Sequence, residues 1–454
     1  MEDQKLSQRL AKSMTVFCDA QDDVVLFHRL QLLSPLLRGI PTENIFVYPQ
    51  SKSAETESHY PHIFPLFEFD RPDFIICVET TPICVIEVTE HAYTGDNGLQ
   101  RFTRAASAAE NGVPHIYFGP AARVRDDELD KTDDAGSLSK RNVTSDLFVG
   151  FGALNRVFST PQLFCEWETG PNGKARKLGR HPSSKDLENV YGYLVRTIVS
   201  IIVEYSSTLD VAYFSKSTQN ECHKNILQNQ SNVTTLANNK NTLTSEVKYK
   251  LSRKQIVDLI SDPGTLTTNL IGEEYFLKGK PDKLLARYAI ETMSIRSVMT
   301  GDGTVISDKK TVASIMERVK LATVFKNGCI AYYSGYKWRS DPHCGVAINI
   351  YYRECFVNEQ LAFPLLMIYP RISLMRKSTQ QLSDNVSGRE FIQLFIDRYQ
   401  SDYREKYKKT VSSRGLYDTW NVGVKQDRIF RRYCSLVLCH DGIVIGQPLW
   451  DKIK

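Results

Sequence analysis

Two short apolar runs, close together in the first quarter of the chain, form its clearest pattern. They are Phe74–Val78 and Ile83–Val88, and a Glu-Thr-Thr-Pro break separates them. Each run is too short for a typical helix and is rich in valine and isoleucine. The pattern therefore predicts a β-hairpin whose strands are covered on both faces.

Two carboxylates, Asp73 and Glu87, interrupt this apolar hairpin. They are equidistant from Thr80, so a turn centred there makes them neighbours across the strands, on one face of the sheet. Like charges directly opposite repel, and an unpaired carboxylate in an apolar sheet is costly. The pattern therefore predicts a divalent metal site. The alternative is that Asp73 caps a strand and that Glu87 forms a buried ion pair with Arg71 or Arg104.

The sequence on either side of the hairpin predicts a mixed α/β layer. A helical pattern runs from Lys5 to Arg38, and Ile45–Tyr48 is predicted as a short strand. After the hairpin, Leu99–Glu110 is predicted as a helix rich in small residues, and Val113–Phe118 as a further buried strand. Another amphipathic pattern predicts a long helix from Ser184 to about Tyr205.

A polar segment, 216–245, divides the chain. It is rich in Asn, Gln, Ser and Thr and poor in large apolar residues, which is typical of a linker or a long loop. We therefore expect a first domain over residues 1–215 and an α+β domain over 246–454. In the second domain, Cys329–Lys337 and Gly345–Phe356 are predicted as two strands that flank a turn.

The composition is that of an ordinary globular protein, with 42% hydrophobic and 24% charged residues among 454. The net charge of +5 is compatible with a polyanionic partner without requiring one. No apolar run reaches the length of a membrane span, so no membrane partner is expected, and the first residues lack the features of a signal peptide. The ten cysteines include no C-x-x-C pair, which favours reduced thiols and a cytoplasmic location.

The motif in the hairpin resembles that of the PD-(D/E)XK nuclease superfamily, the fold of many type II restriction endonucleases. Pro72-Asp73 matches the first half of the family pattern, and Glu87-Val88-Thr89 matches the second half. Thr89 stands where the family usually has lysine. The family order of helix, three strands, helix and strand also matches the predicted elements. The resemblance implies an α/β fold with a restriction-endonuclease-like core, in which a mixed central sheet is flanked by helices.

This resemblance, which covers about residues 26–119, also implies a metal centre. Asp73, Glu87 and the backbone carbonyl of Val88 would provide oxygen ligands for Mg²⁺, with Mn²⁺ as an alternative. The metal would lower the pKa of a bound water and hold a phosphate oxygen. Thr89, two residues beyond Glu87 on the same face, can hydrogen-bond a water but supplies no positive charge.

The helix that follows the hairpin is expected to supply the missing charge. Gln100 and Arg104 lie one turn apart, and we expect Gln100 to orient water or phosphate. Arg101 or Arg104 is expected to contact the phosphate, although a solvated helix face is an equal alternative for all three residues. A further acidic ligand is expected from Glu57 or Glu68.

A second cluster of polar and aromatic residues lies in the C-terminal half: Lys337, Trp338, Arg339, Asp341 and His343. Side chains of these kinds contact base edges and phosphates or stack on bases. The cluster is therefore a candidate nucleic-acid contact between the two predicted strands. The alternative is a tight Asp-Pro turn in a hairpin.

The expected function is a Mg²⁺-dependent endonuclease that cleaves double-stranded DNA. Its C-terminal half would provide target recognition or dimerisation, and a homodimer would cut both strands. One alternative is a repair or defence nuclease of the same superfamily that acts on other DNA or on RNA. Another is a catalytically silent nucleic-acid-binding protein that keeps the fold.

Overall fold

The computed structural model describes two compact units, Met1–Thr242 and Leu243–Lys454. The division falls within the polar segment 216–245. The described residues are 9–48, 54–89, 95–119, 122–123, 141–142, 145–167, 178–179, 182–208, 224, 247–271, 287, 290–291, 293–322, 327–332, 341–357, 360–361, 364–369, 372–374, 420–421 and 424–454.

The first unit is built on a six-stranded mixed sheet. Its strands are β1 (Met14–Cys18), β2 (Ile45–Val47), β3 (Phe74–Val78), β4 (Thr81–Val88), β5 (His115–Gly119) and β8 (Gln162–Glu166), while β6 (Ala122–Arg123) and β7 (Arg141–Asn142) pair separately. The spatial order is β2-β1-β3-β4-β5-β8. Strands β1, β3 and β4 are antiparallel neighbours, whereas β4, β5 and β8 run parallel, as do β1 and β2.

Helices cover both faces of this sheet. They are α1 (Gln21–Gln31), α2 (Pro35–Arg38), α3 (Ala54–His59), α4 (Gly95–Glu110), α5 (Ser145–Phe158) and α6 (Ser184–Thr208), with 3₁₀ turns at Thr42–Asn44 and Phe64–Phe67. Alternate residues of β3 point to opposite faces: Phe74 and Ile76 join the core formed with α1 and α6, whereas Ile75 joins a core that includes Ala108 of α4. The predicted hairpin, the helix and the strand that follow it, and the long helix from Ser184 are confirmed.

The centre of the hairpin turn lies half a residue before the predicted centre at Thr80. Val78 pairs with Thr81, so the loop is Glu79-Thr80 and its centre lies between these residues. Glu79 has a φ of 52°, which the first position of a type II′ turn requires and which normally favours glycine. A register shift between Ile76 and Cys77 then adds one residue to β4. The bulge restores the pairing expected from a turn centred on Thr80.

The predicted single helix from Lys5 to Arg38 is wrong. Strand β1 interrupts it and lies inside the sheet, between β2 and β3. Val16, Phe17 and Cys18 are fully buried in this strand. A five-residue apolar run beside a helical pattern cannot be assigned from periodicity, because both states bury such a run.

The second unit contains a seven-stranded mixed sheet of its own. Its strands are β9 (Val247–Ser252), β10 (Ser297–Met299), β11 (Val305–Ile306), β12 (Asn327–Tyr332), β15 (Leu365–Tyr369), β18 (Leu436–Cys439) and β19 (Gly442–Ile445). The order is β11-β10-β19-β18-β15-β12-β9. Short pairs are formed by β13 (Phe356–Val357) with β14 (Gln360–Leu361), and by β16 (Ile372–Ser373) with β17 (Trp420–Asn421).

The helices of the second unit are α7 (Arg253–Ser261), α8 (Pro263–Ile271), α9 (Lys309–Leu321), α10 (Asp341–Ile350), α11 (Val424–Tyr433) and α12 (Gln447–Ile453). Apolar residues of α7, α9 and α12 pack with β15, β18 and β19 in one core. The protein is thus α/β, with two mixed sheets flanked by helices. Within the described part of the chain, no helix has the length and apolar character needed to cross a membrane.

The predicted strand Gly345–Phe356 is wrong. Helix α10 and a following π-helical turn, Tyr351–Cys355, occupy most of that range. Val346, Ala347 and Ile348 are all fully buried. A helix that is buried all round lacks the polar face from which a 3.6-residue period is recognised, so its sequence resembles that of a buried strand.

Candidate active site

The register of the hairpin brings its two carboxylates together. Phe74 pairs with Ile86, so the next position outward sets Asp73 opposite Glu87. Asp73 directly precedes β3, and its Oδ2 accepts a hydrogen bond of 2.6 Å from the amide of Val88. The Asp73 carboxylate is therefore fixed at the end of β4, beside the residue that follows Glu87.

Glu87 points toward helix α4 and is completely buried. Its Oε1 forms ion pairs with Nη1 of Arg104 and, at 2.7 Å, with Nε of Arg101. Nη2 of Arg104 lies 3.5 Å from Oδ2 of Asp70 as well. Residues three apart share one face of a helix, so both arginines reach the same carboxylate.

Small residues of α4 explain how these arginines come so close to the sheet. Ala105, Ala106, Ala108 and Ala109 are all buried, and Ala105 and Ala108 share the helix face of Arg101 and Arg104. Small side chains allow a helix backbone to lie close to a sheet. The alternative of a solvated helix face is wrong for Arg101 and Arg104. The ion pair of Glu87 with Arg104 is present, whereas Arg71 pairs with another acid.

The electrostatics of the site are those of coupled buried charges. Burial raises the pKa of Glu87 well above its usual range, while Arg104 opposes the rise and Asp73 adds to it. Burial also raises the pKa of Asp73, against the effects of Arg104 and of the Val88 amide. Burial acts to lower the pKa of Arg104, but Glu87 and Asp70 raise it above its usual range. Arg104 is therefore a permanent cation of the site.

Two further aspartates approach from the start of the chain. The amide of Asp19, just after β1, donates 3.0 Å to the Asp73 carbonyl, and the Asp19 carboxylate forms a 3.0 Å ion pair with Arg71. Asp23, in the first turn of α1, accepts a 2.9 Å hydrogen bond from the Ala20 amide. Burial and the charge of Asp73 raise the pKa of Asp23 to about 7.

Sequence reasoning missed Asp19, Asp23 and Asp70 as neighbours of the site. Asp19 and Asp23 follow the strand β1, which the sequence pattern assigned to a helix. A short apolar run followed by Asp-Ala-Gln-Asp-Asp was the available signal, because it predicts a strand end and a helix start.

Thr89 lies directly beyond β4, where it continues the pairing with β5. Its amide donates 2.9 Å to the carbonyl of Phe118, and Thr89 is buried. Tyr117, the register partner of Glu87, stands beside it. Burial raises the pKa of the Tyr117 hydroxyl. Arg101 and a hydrogen bond with Thr89 oppose this rise, whereas the charge of Glu87 adds to it. Thr89 thus belongs to the same group of interacting side chains as Glu87.

Gln100 lies one residue before Arg101 on α4 and is partly exposed. Its backbone carbonyl accepts a 3.3 Å hydrogen bond from the Thr103 hydroxyl. The described contacts with Glu87 come from the two arginines. The role expected for Gln100 toward water or phosphate stays a prediction.

The donor chemistry of the site suits a hard divalent cation. Asp73, Glu87 and the Val88 carbonyl offer oxygen ligands, which Mg²⁺ prefers. Oε2 of Glu87 is buried and accepts no hydrogen bond from the described residues. A buried carboxylate oxygen without a donor is available to a cation. Mg²⁺ commonly binds one or two carboxylates and keeps several waters, so two acids are sufficient.

A third protein carboxylate does not complete this set. Among the described residues, no group of three or more His, Cys, Asp or Glu side chains is arranged to hold a metal ion. Glu57 is exposed on α3, and Glu68 is partly buried after the second 3₁₀ turn. Neither of them therefore forms a three-carboxylate group with Asp73 and Glu87.

The second predicted cluster belongs to the second unit. Lys337, Trp338 and Arg339 lie outside the described residues, whereas Asp341 and His343 stand in the first turn of α10. The predicted turn between two strands is wrong, because the chain enters a helix here. The proposed contact of these residues with nucleic acid stays a prediction.

The first unit thus combines two opposed carboxylates with two arginines at the open end of a hairpin. Such a set can bind a divalent cation through the acids and an anionic group through the arginines. Comparisons of the chain with protein-family models, curated proteins and solved structures found no match.

Proposed function

We propose that this protein is a Mg²⁺-dependent endonuclease that hydrolyses DNA phosphodiester bonds. The opposed pair of Asp73 and Glu87 is the observation that carries the proposal. Two acids side by side in a buried hairpin are costly even though Oε1 of Glu87 pairs with two arginines. A cation bound by both acids, through Oε2 of Glu87, would give the pair a purpose. The strands β1, β3 and β4 are neighbours in the sheet, and α4 and the parallel strand β5 follow β4, which supports the PD-(D/E)XK resemblance.

Each residue has a defined part in this proposal. Asp73, Glu87 through Oε2, and the Val88 carbonyl would hold Mg²⁺, which supplies Lewis acidity and an acidified bound water. Arg101 and Arg104 bind the anionic phosphate and stabilise the charge that develops on it. The hydroxyl group of Thr89 forms a hydrogen bond with a water molecule.

The reaction adds one water across the phosphodiester. The water oxygen forms a bond to phosphorus, and the bond from phosphorus to one sugar oxygen breaks. One proton of the water ends on that sugar oxygen, giving an alcohol and a phosphomonoester. The second proton of the water stays on the phosphomonoester or passes to solvent as that group ionises, and the carboxylates emerge unchanged.

The substrate and the setting are part of the proposal. Double-stranded DNA is the proposed substrate, and a homodimer would provide one site for each strand. The second unit is proposed to recognise the target or to mediate dimerisation. The described cysteines, eight in number, are free and buried, which supports a reducing, cytoplasmic compartment.

A cleavage assay with paired variants tests the proposed function. Purified protein is incubated with supercoiled plasmid in Mg²⁺, beside Asp73→Asn and Glu87→Gln. We expect the wild type to produce nicked or linear DNA and both variants to lose at least about 100-fold in rate, since each removes a metal ligand. Glu188→Gln, on the exposed part of α6, is the matched control and should cleave normally.

Two controls make the result decisive. Far-ultraviolet circular dichroism must show that Asp73→Asn and Glu87→Gln keep the fold of the wild type. Added EDTA must stop cleavage by the wild type, and Mn²⁺ should restore it. Cleavage that persists in both folded variants contradicts the assignment of this site.

A catalytically silent nucleic-acid-binding protein is the second candidate. Thr89 in place of lysine and the neutralisation of Glu87 by two arginines favour it. Gel-shift measurements with duplex DNA distinguish the two candidates. DNA binding without cleavage in Mg²⁺ or Mn²⁺ supports the silent binder.

A further inference from the structure

We propose that Arg101 is an exchangeable counter-ion of this site. In the free protein Arg101 pairs with Glu87, and it moves to a substrate phosphate when Glu87 takes up a divalent cation. Arg101 would thereby supply the positive charge that Thr89 lacks, but only in the complex with nucleic acid. This inference rests on the proposed function and specifies how cation and substrate binding are linked.

The two oxygens of Glu87 have different surroundings. Oε1 contacts both Arg101 and Arg104, whereas Oε2 is buried and accepts no hydrogen bond from the described residues. Two cationic side chains thus share one carboxylate oxygen, while the second oxygen accepts no hydrogen bond from the described residues. A cation on Oε2 would redistribute the charge of Glu87 and weaken its hold on one arginine.

Arg101 is the arginine that can leave. The Arg104 side chain is 14% exposed and bridges two carboxylates, Glu87 and Asp70. The Arg101 side chain is 24% exposed, and it stands one turn nearer the start of α4. Arg104 is therefore a positioning residue that keeps Glu87 in place, while Arg101 has a path to solvent and to substrate.

Charge repulsion explains why the exchange is needed. Asp70, Asp73 and Glu87 carry up to three negative charges, and Arg101 with Arg104 carries two positive charges. A divalent cation on Oε2 of Glu87 would meet two guanidinium groups on the neighbouring oxygen. If Arg101 moves to a phosphate, the cation faces one arginine and the phosphate gains a partner. Cation and nucleic acid should therefore favour each other's binding.

Removal of Arg101 is predicted to change two affinities in opposite directions. Mn²⁺ binding to the full-length protein without nucleic acid is measured by electron paramagnetic resonance. Arg101→Gln should bind Mn²⁺ roughly tenfold more tightly than the wild type, since one competing charge is gone. The affinity for duplex DNA in Ca²⁺ should fall roughly tenfold for the same variant, because a phosphate contact is lost.

Matched variants separate this exchange from a structural role. Arg196→Gln removes an exposed arginine of α6 and should change neither affinity. Arg101→Lys keeps the charge, so its Mn²⁺ affinity should stay near that of the wild type, and it remains testable if Arg101→Gln does not fold. In the double variant Arg101→Gln/Glu87→Gln, the gain in Mn²⁺ affinity should vanish.

The proposal is overturned by an unchanged or lower Mn²⁺ affinity of folded Arg101→Gln, by unchanged DNA affinity, or by a gain that persists without Glu87. Failure of wild type and variant alike to bind Mn²⁺ also overturns it. If Arg101→Gln does not fold, a clear gain in Mn²⁺ affinity of Arg101→Lys overturns it. The plasmid assay with Asp73→Asn and Glu87→Gln judges the proposed nuclease activity separately, so the two failures are distinguishable.

Discussion

At the scale of single residues, Glu87 is the acid that pairs with both arginines of the site. It is inaccessible to solvent, and its loss removes the acid with which both Arg101 and Arg104 pair. We expect Glu87→Ala to lower the free energy of unfolding by about 3 kcal/mol, because removal of one partner of a buried ion pair is strongly destabilising. Urea denaturation measures this change.

The control for Glu87→Ala is a second glutamate–arginine pair. Glu188 pairs with Arg196 on the surface of α6, where both side chains are at least half exposed. Exposed pairs contribute little, so Glu188→Ala should leave the free energy of unfolding nearly unchanged. Equal losses in the two variants would show that burial does not distinguish them.

Asp23 gives the site a pH dependence that can be isolated. Its pKa is about 7 in the folded protein, owing first to burial and then to Asp73, whereas an unfolded aspartate has a pKa of about 4. Between these values the folded chain retains a proton that the unfolded chain releases. The free energy of unfolding should therefore fall as the pH rises from about 4 to about 7.

The variant Asp23→Asn should reduce this slope, because asparagine cannot lose the proton, while the raised pKa values of Asp73 and Glu87 keep part of it. Urea denaturation at several values between about pH 4 and pH 7.5 covers the window. Glu43→Gln, on an exposed turn after α2, is the matched control and should retain the slope of the wild type. A slope that Asp23→Asn leaves unchanged contradicts the assignment.

Sequence reasoning could locate Asp73 and Glu87 because their chemistry conflicts with their surroundings. Carboxylates in a strand of valine and isoleucine need an explanation, and the register then follows from counting residues. The partners were less accessible: Arg101 and Arg104 were named, but their contact with Glu87 depends on how closely α4 approaches the sheet. Asp19 stayed hidden, because its position depends on the pairing of β1 with β3.

At the scale of elements, the close packing between the ends of β4 and β5 requires a glycine at position 119. A Cβ on Gly119 would lie 2.4 Å from Cγ2 of Thr89, closer than real contacts allow. We expect Gly119→Ala to lower the free energy of unfolding by about 1–3 kcal/mol, as overpacking of a core does. In a Thr89→Ser background, which lacks Cγ2, the same substitution should cost less. Thermal or urea unfolding of the four proteins completes the cycle.

A second glycine provides the comparison for Gly119. Gly179 has no atom within 4 Å of the position of an added Cβ. Gly179→Ala should therefore be close to neutral in the same unfolding measurements. If Gly119→Ala costs the same amount in the wild-type and Thr89→Ser backgrounds, the threonine methyl is not the cause of the strain.

Elements could be predicted wherever a local signal distinguished helix from strand. The helix at Leu99–Glu110 ends at Asn111-Gly112, and Gly112 has the positive φ, 68°, that such an end requires. By contrast, Met14–Cys18 and Gly345–Phe356 are apolar segments without a clear polar face. Their assignment was wrong because burial on all sides removes the period that tells a helix from a strand.

At the scale of the whole molecule, the chain contains two units, each with its own sheet. The apolar cores of the first unit draw their residues from its six-stranded sheet and the helices beside it. The core of the second unit is made of residues from 251 onward. A unit with its own core is a candidate for independent folding. The composition predicted a boundary in the polar segment 216–245, and the division between the two units falls within that segment.

Separation of the units tests the division of labour between them. The fragment Met1–Thr242 includes both carboxylates and both arginines of the site, so it should fold with a cooperative unfolding transition and retain Mg²⁺-dependent cleavage of plasmid. If the second unit recognises the target or mediates dimerisation, the fragment should nick DNA without producing the discrete linear products of the intact protein. Gel electrophoresis and sedimentation of both proteins measure these outcomes. A folded fragment that yields the same discrete products as the full chain contradicts the role assigned to Leu243–Lys454.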